Sequence, residues 1–282
     1  MGAGGICACG AQYPTVNFAA LLLFATGATL EFSTDILLLL FFIAICAGFL
    51  DTLAGGGGLI TIPALVLSGV PPLMALGTNK LQACVGVATS SILLFRRGKL
   101  DWPALRGLML AAFIGSVVGT LIIQFVDPAV LGFVIPCVLA IIAVYFICSP
   151  FLKLETGKAK LGEAAYRRAV IPVIGAYDGM FGPGTGSFFA LAGVSLRGLE
   201  LIKATAMAKP LNFSTNLASL LVFLLAGQVL WVAGLVMMVG QGLGAWAGSH
   251  YLFKVNPILL RVVIVTVCLL MLARYLYQRL VV

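Results

Sequence analysis

Four long apolar runs, at 103–126, 129–149, 230–253 and 258–273, decide what this chain can become. Each is long enough to cross roughly 30 Å of hydrocarbon as a helix. In lipid every backbone N–H and C=O must be bonded inside the protein, so only helices or closed barrels span, and runs of this length are helical. The charge content agrees: only 9% of residues are charged, whereas soluble domains carry about 25%. A chain so poor in charge cannot cover a water-facing surface. Its net charge of +8 would suggest nucleic acid, but the basic residues fall mostly in short loops between apolar runs, where they orient a membrane protein. No nucleic-acid partner is expected; lipid is. Cys46, Cys84, Cys137, Cys148 and Cys268 lie within apolar segments and imply no disulfide framework. Cys7 and Cys9 form a lone pair, too little for a metal site, so neither metal nor cofactor is expected. No Lys or Arg precedes the first apolar stretch, 17–30, which does not read as a cleaved signal peptide.

The chain repeats itself. A shift of 129 residues superposes Ala75 on Ala204, Lys80 on Lys209, Ser90 on Ser219, Trp102 on Trp231, Gly115 on Gly244, Gly119 on Gly248 and Pro128 on Pro257. Upstream, a shift of 127 superposes Gly48, Asp51, Gly55 and Gly57 on Gly175, Asp178, Gly182 and Gly184. Matches of Trp, Lys and Pro in one register, with an Asp pair in a register only two residues away, are not expected by chance. The predicted organisation is an N-terminal stretch (1–33), a first repeat (34–150), a cytoplasmic linker (151–168) and a second repeat (169–282). Each repeat reads as five apolar segments: about 34–51, 58–70, 74–95, 103–126 and 129–149, then 169–181, 186–197, 200–226, 230–253 and 257–277. An odd number of crossings per copy inserts the two copies in opposite orientation. The fold class is therefore an all-α polytopic membrane protein of two inverted repeats.

The basic residues fit this path. Arg96, Arg97, Lys99 and Arg106 flank one loop, and Lys153, Lys158, Lys160, Arg167 and Arg168 fill the central one. Arg197 with Lys203 and Lys254 with Arg261 flank two more, so 13 of 17 basic residues fall on one side. Loops 70–73, 126–129 and 227–230 carry none. The positive-inside rule makes the charged side cytoplasmic; Arg279, placed outside, is the exception. Trp102 and Trp231 begin corresponding segments and read as interface anchors, and His250 reads as interfacial.

In both repeats the first two segments meet at a glycine-rich break, DTLAGGGG (51–58) and DGMFGPGTG (178–186). The segments after the breaks are short, about 20 Å as helices, and read as half-helices or re-entrant pieces at least as well as full spans. Irregular backbone at membrane depth is tolerated only inside protein or beside a cavity. Gly55, Gly56, Gly57 and Gly58, with Gly182, Gly184, Thr185 and Gly186, can bring backbone N–H groups to a ligand at the positive ends of the following helices. Close helix packing is the competing use of these glycines. The third segments carry Lys80 and Lys209, with Asn79, Gln82, Asn212 and Asn216 around them. A lysine at depth costs about 2.5–3.5 kcal/mol and marks function by default. Ammonium groups, amide donors and helix N-termini together suit an anion. Asp51 and Asp178 are candidate coupling groups; the competing readings are that they neutralise the lysines or cap the half-helices.

At these residues the chain resembles a known family. AGFLDTLAGGGGLITIPAL, ALGTNKLQAC, GAYDGMFGPGTGSFFAL and KATAMAKPLNFSTNLASL are similar to the TauE/SafE sulfite-exporter family of bacterial membrane proteins, and most closely its YfcA-like branch, over about 34–280. The resemblance implies a multi-pass inner-membrane permease exporting a small sulfur-containing anion such as sulfite or an organosulfonate. Pro210 stands where relatives tend to carry Leu, and is expected to kink or unwind its helix. Secondary active export by alternating access is the expected function, with a passive anion channel as the alternative. No enzyme is expected, since neither HExxH nor GxSxG occurs and His250 has no second histidine to partner it. A homodimer is compatible with a transporter of this size.

Overall fold

The computed structural model describes residues 32–98, 100–148 and 158–252, with isolated helical positions at 266, 269 and 270. The expected last segment, 257–277, therefore lies almost wholly outside the described residues, as do 1–31 and positions 151–157 of the linker. Helix α1 (Thr34–Ala54) leads into the short α2 (Gly58–Leu67), followed by α3 (Pro72–Arg96), α4 (Trp102–Gln124) and α5 (Pro128–Cys148). In the second half, α6 (Glu163–Ala165) passes through a π turn at Tyr166–Val170 into α7 (Ile171–Met180), and then come α8 (Thr185–Arg197), α9 (Leu201–Leu225) and α10 (Trp231–Tyr251). No strand occurs among the described residues.

The boundaries follow local chemistry. Pro72 and Pro103 sit in the first turns of α3 and α4, where the missing N–H would be unbonded anyway. Gly55 (φ +74°) and Gly198 (φ +64°) end α1 and α8 in the left-handed region, which costs a residue without Cβ little. Helix α9 runs on through Pro210 from Leu201 to Leu225. The expected unwinding at Pro210 does not occur; flanking turns of α9 keep the helix whole on either side of the one lost donor.

Helices α1, α4 and α10 are long and apolar enough to cross a membrane. Helices α3 and α9, 25 residues each and about 37 Å long, are long enough but carry the polar sequences GTNKLQ and AKPLN in their first halves. They are therefore placed inside, against each other. Their bounds are separated by 129 residues at both ends. Apolar side chains such as Phe42, Leu110, Ile114, Phe133, Val239 and Trp246 face outward, while Asn79, Lys80, Gln82, Lys209 and Asn212 are buried. That inversion suits lipid.

The two halves interlock rather than sit side by side. Helix α1 packs on α10 and α7 on α4, so each half's first helix lies on the other half's fourth; α3 likewise packs on α10, and α9 on α4. Small residues make both crossings. A Cβ on Gly244 would strike the Ile45 carbonyl, and one on Gly248 would lie 2.9 Å from the Phe49 carbonyl. Their counterparts Gly115 and Gly119 would strike the carbonyls of Pro172 and Ala176, which are Ile45 and Phe49 displaced by 127. Backbone thus lies on backbone at both crossings. Gly244→Val should lower stability by about 1–3 kcal/mol through overpacking, seen as a lower melting temperature of the purified protein in detergent. Gly162→Ala, where a Cβ would meet nothing within 4 Å, should leave it unchanged.

Candidate functional site at the paired helix breaks

At the first break, the Gly55 N–H donates to the Asp51 carbonyl at 2.7 Å, ending α1. The Gly57 N–H, at the start of α2, donates to Asp51 Oδ1 at 3.0 Å. Asp51 therefore ties the end of one half-helix to the beginning of the next, its carboxylate placed at a positive helix end. At the second break, Gly182 (φ +93°) and Gly184 (φ +78°) carry the turn. The Thr185 hydroxyl donates back to the Gly182 carbonyl at 2.8 Å, and the Tyr177 hydroxyl donates to the Pro183 carbonyl at 2.6 Å.

The two breaks touch. A Cβ added to Gly186 would lie 2.8 Å from Gly55 Cα, and one on Gly55 would meet the backbone of Gly186 and Ser187. The Ser187 hydroxyl donates to the Ala54 carbonyl, and a Cβ on Gly58 would lie 3.4 Å from Pro183 Cα. Glycine is required at Gly55 and Gly186 by this approach, and at Gly55 by its left-handed torsion as well.

Lys80 and Lys209 are each the ninth residue of their helices, and each is 1% exposed. Each reaches the break of the other half. Lys80 Nζ donates to the Asp178 carbonyl at 2.5 Å, and Lys209 Nζ donates to the Asp51 carbonyl at 2.5 Å. The last carbonyls of a helix have no intrahelical partner and form its negative end. They are a natural seat for an ammonium that has left water.

Beyond that match the two sites differ. Lys80 Nζ also lies 3.1 Å from Asp178 Oδ2, a buried ion pair. A Cβ on Gly182 would come within 2.9 Å of the same ammonium. Lys209 makes no ion pair among the described residues, because the Asp51 carboxylate is turned to Gly57.

Amides complete the surroundings. Asn79 Oδ1 accepts the Thr61 hydroxyl at 2.6 Å and Gln82 Nε2 at 3.1 Å, while Gln82 Oε1 is buried without a hydrogen-bond partner. Asn216 Nδ2 donates to Asn212 Oδ1 at 2.9 Å and to the Asn212 carbonyl at 2.7 Å. Asn79 Nδ2 and Asn212 Nδ2 face the first turns of α2 and α8, each 3.6 Å from where a Cβ of Gly58 or Gly186 would be. The structure thus gathers the lysines, aspartates, amides and glycines singled out in the sequence around one pair of breaks. His250 lies away on the exterior, hydrogen-bonded to the Trp246 carbonyl and beside the Trp246 ring.

Sequence reasoning missed several polar groups here. Ser187, Thr61 and Tyr177 bond across the breaks. Ser116, Thr120 and Ser219 form a buried hydroxyl cluster that also bonds the carbonyls of Thr215 and Gly179. Residues 127 or 129 away from Ser187, Thr61, Tyr177 and Ser116 are not polar (Ser187 matches Ile60, Ser116 matches Ala245), so comparing the repeats could not flag these four, whereas Ser219 and Thr120 match Ser90 and Ser249. A hydroxyl one turn from a break is the only local signal.

Fold and site together define a polytopic α-helical membrane transporter with a charged, glycine-lined core. The chain belongs to the sulfite exporter TauE/SafE family, whose model matches residues 40–275. It is 42% identical over 250 residues to a probable membrane transporter protein of Haemophilus influenzae, covering 89% of this chain and 98% of that one. It is 43% identical over 239 residues to the probable membrane transporter protein YfcA of Escherichia coli K12, covering 85% of this chain and 89% of the relative. A probable membrane transporter protein of Sinorhizobium sp. is 42% identical over 221 residues, covering 78% and 85%. No solved structure matches.

The ion pair gives a stability prediction. Lys80→Met strands the Asp178 carboxylate in the core and should cost about 3–5 kcal/mol. Adding Asp178→Asn should recover most of that loss. Thermal melts of the single and double variants check it; additive losses would mean that the pair carries no coupling.

Proposed function

We propose that the chain is a secondary active transporter of the bacterial inner membrane that exports a small sulfur-containing anion, sulfite or organosulfonate-like, by alternating access between two oppositely oriented repeats. The observation that carries this reading is the placement of two ammonium groups, at equal positions in matching helices, beside the paired glycine breaks. Positive charge, amide N–H groups and helix N-termini in a water-poor setting make an anion the best-matched ligand. The inverted orientation rests on the odd segment count and on the one-sided basic loops, and the direction of transport on the family's name. A channel built from the same groups would pass anion without coupling.

Asp51 and Asp178 are the coupling groups of this reading, Asp178 through its ion pair with Lys80. A carboxylate paired with a lysine at depth can trade its charge for a proton when the lysine is drawn elsewhere. Uptake into proteoliposomes of sulfite, thiosulfate, sulfoacetate, sulfate and carboxylates, with and without a pH gradient, tests the function. Saturable, gradient-driven accumulation of sulfur oxyanions is expected, and flux that neither saturates nor responds to the gradient would favour the channel. Asp178→Asn, which abolishes the acid–base exchange opposite Lys80, should lose gradient-driven accumulation and keep anion exchange. Asp51→Asn separates coupling from capping, since Asn can still accept the Gly57 N–H: gradient-driven transport that survives it would confine coupling to Asp178.

A further inference from the structure

The two lysines are equivalent in sequence and in helix position, yet not in charge balance. Lys80 is closed by a carboxylate at 3.1 Å. Lys209 has no carboxylate oxygen within 4.0 Å among the described residues. An ammonium has three N–H donors, and Lys209 spends one on the Asp51 carbonyl. Asp51, whose carbonyl it meets, has committed its carboxylate to the Gly57 N–H. No third acid stands in among the described residues. Asp35, Asp101, Asp127, Glu163 and Glu200 are all exposed, leaving Asp51 and Asp178 as the buried acids among the described residues. The stretch from 253 to 282 contains neither Asp nor Glu.

A second donor is held ready beside it. Asn212 lies one turn beyond Lys209 on α9, and Asn216, one further turn on, donates to its Oδ1. That bond fixes which way the Asn212 amide points, so its NH₂ faces Gly186 at the start of α8. Asn212 is 5% exposed and Asn216 4%. In the other half the corresponding ammonium is neutralised by its ion pair.

We infer that the substrate anion is held in the second half alone, between the Lys209 ammonium and the Asn212 amide at the start of α8, and that Lys80 serves as the closed, charge-neutral counterpart. The inference rests on the anion-transport reading and narrows it to one pole. An oxyanion with several acceptor oxygens on one centre, such as a sulfite or sulfonate, can take N–H donors from Lys209, Asn212 and the first turn of α8 together. Asn216 is a positioning residue that acts through Asn212.

The test uses the full-length protein purified in detergent, with sulfite as probe and gluconate as the background anion. It reads the sulfite concentration giving half-maximal thermal stabilisation. Lys209→Gln should raise that concentration at least tenfold more than Lys80→Gln/Asp178→Asn, in which an ammonium and its counter-charge leave together. Equal losses in the two variants would overturn the inference, restoring a two-lysine site and leaving the transport reading intact. A parent protein that binds none of sulfite, thiosulfate or sulfoacetate would overturn both. Should Lys209→Gln not fold, Asn212→Asp serves instead, since it supplies Lys209 with the carboxylate it lacks. It should melt at or above the parent temperature without anion and need at least tenfold more sulfite; binding at the parent's concentration would contradict the assignment. Asn216→Ala should weaken sulfite binding severalfold, and Asn216→Gln should restore part of it only if the amide orientation matters.

Discussion

Two ammonium groups buried to 1% exposure have to be held by something other than water, and the rest of the structure is arranged around that need. A broken helix provides the partner: where α1 and α7 stop, carbonyls of their last turns form a negative helix end with lone pairs to spare, and each lysine takes one. The glycine breaks therefore do more than loosen the backbone. They expose negative helix ends at a depth where a lysine would otherwise be costly.

Reciprocity follows from the same contact. Each lysine belongs to one half and its seat to the other, so neither half can bury its charge alone. The small-residue crossings of α1 on α10 and α7 on α4 deliver this exchange, bringing each break beneath the opposite α3 or α9. Gly55 against Gly186 then fixes the separation of the two breaks, with no room for a side chain between them. The arrangement is polar within and apolar without.

Much of this was readable in the chain because the repeat doubled every signal. The glycine-rich breaks at 51–58 and 178–186, the two lysines, the two tryptophans and the Pro128–Pro257 pair recur, so the positions of α3 and α9 follow to within a few residues. Helix in the second half begins already at Glu163: Glu163, Arg167 and Arg168 look like loop but lie on the exposed side of a helical stretch that continues through a π turn. The pairing itself was not legible. Sequence spacing between aspartate and lysine is nearly the same in both repeats, so it cannot say whether Lys80 meets Asp51 or Asp178; only the crossing of the halves decides. Nor could it show that one aspartate pairs while the other caps, since both are the same residue in the same motif.

The account depends most on the claim that this charged core moves an anion. Currents on a solid-supported membrane, recorded as sulfite replaces gluconate over proteoliposomes of the purified protein, test it directly. A current that rises and saturates with sulfite in the parent, and vanishes in Lys209→Gln, is the predicted result. A parent protein that gives no sulfite-dependent current and no sulfite counterflow would contradict it.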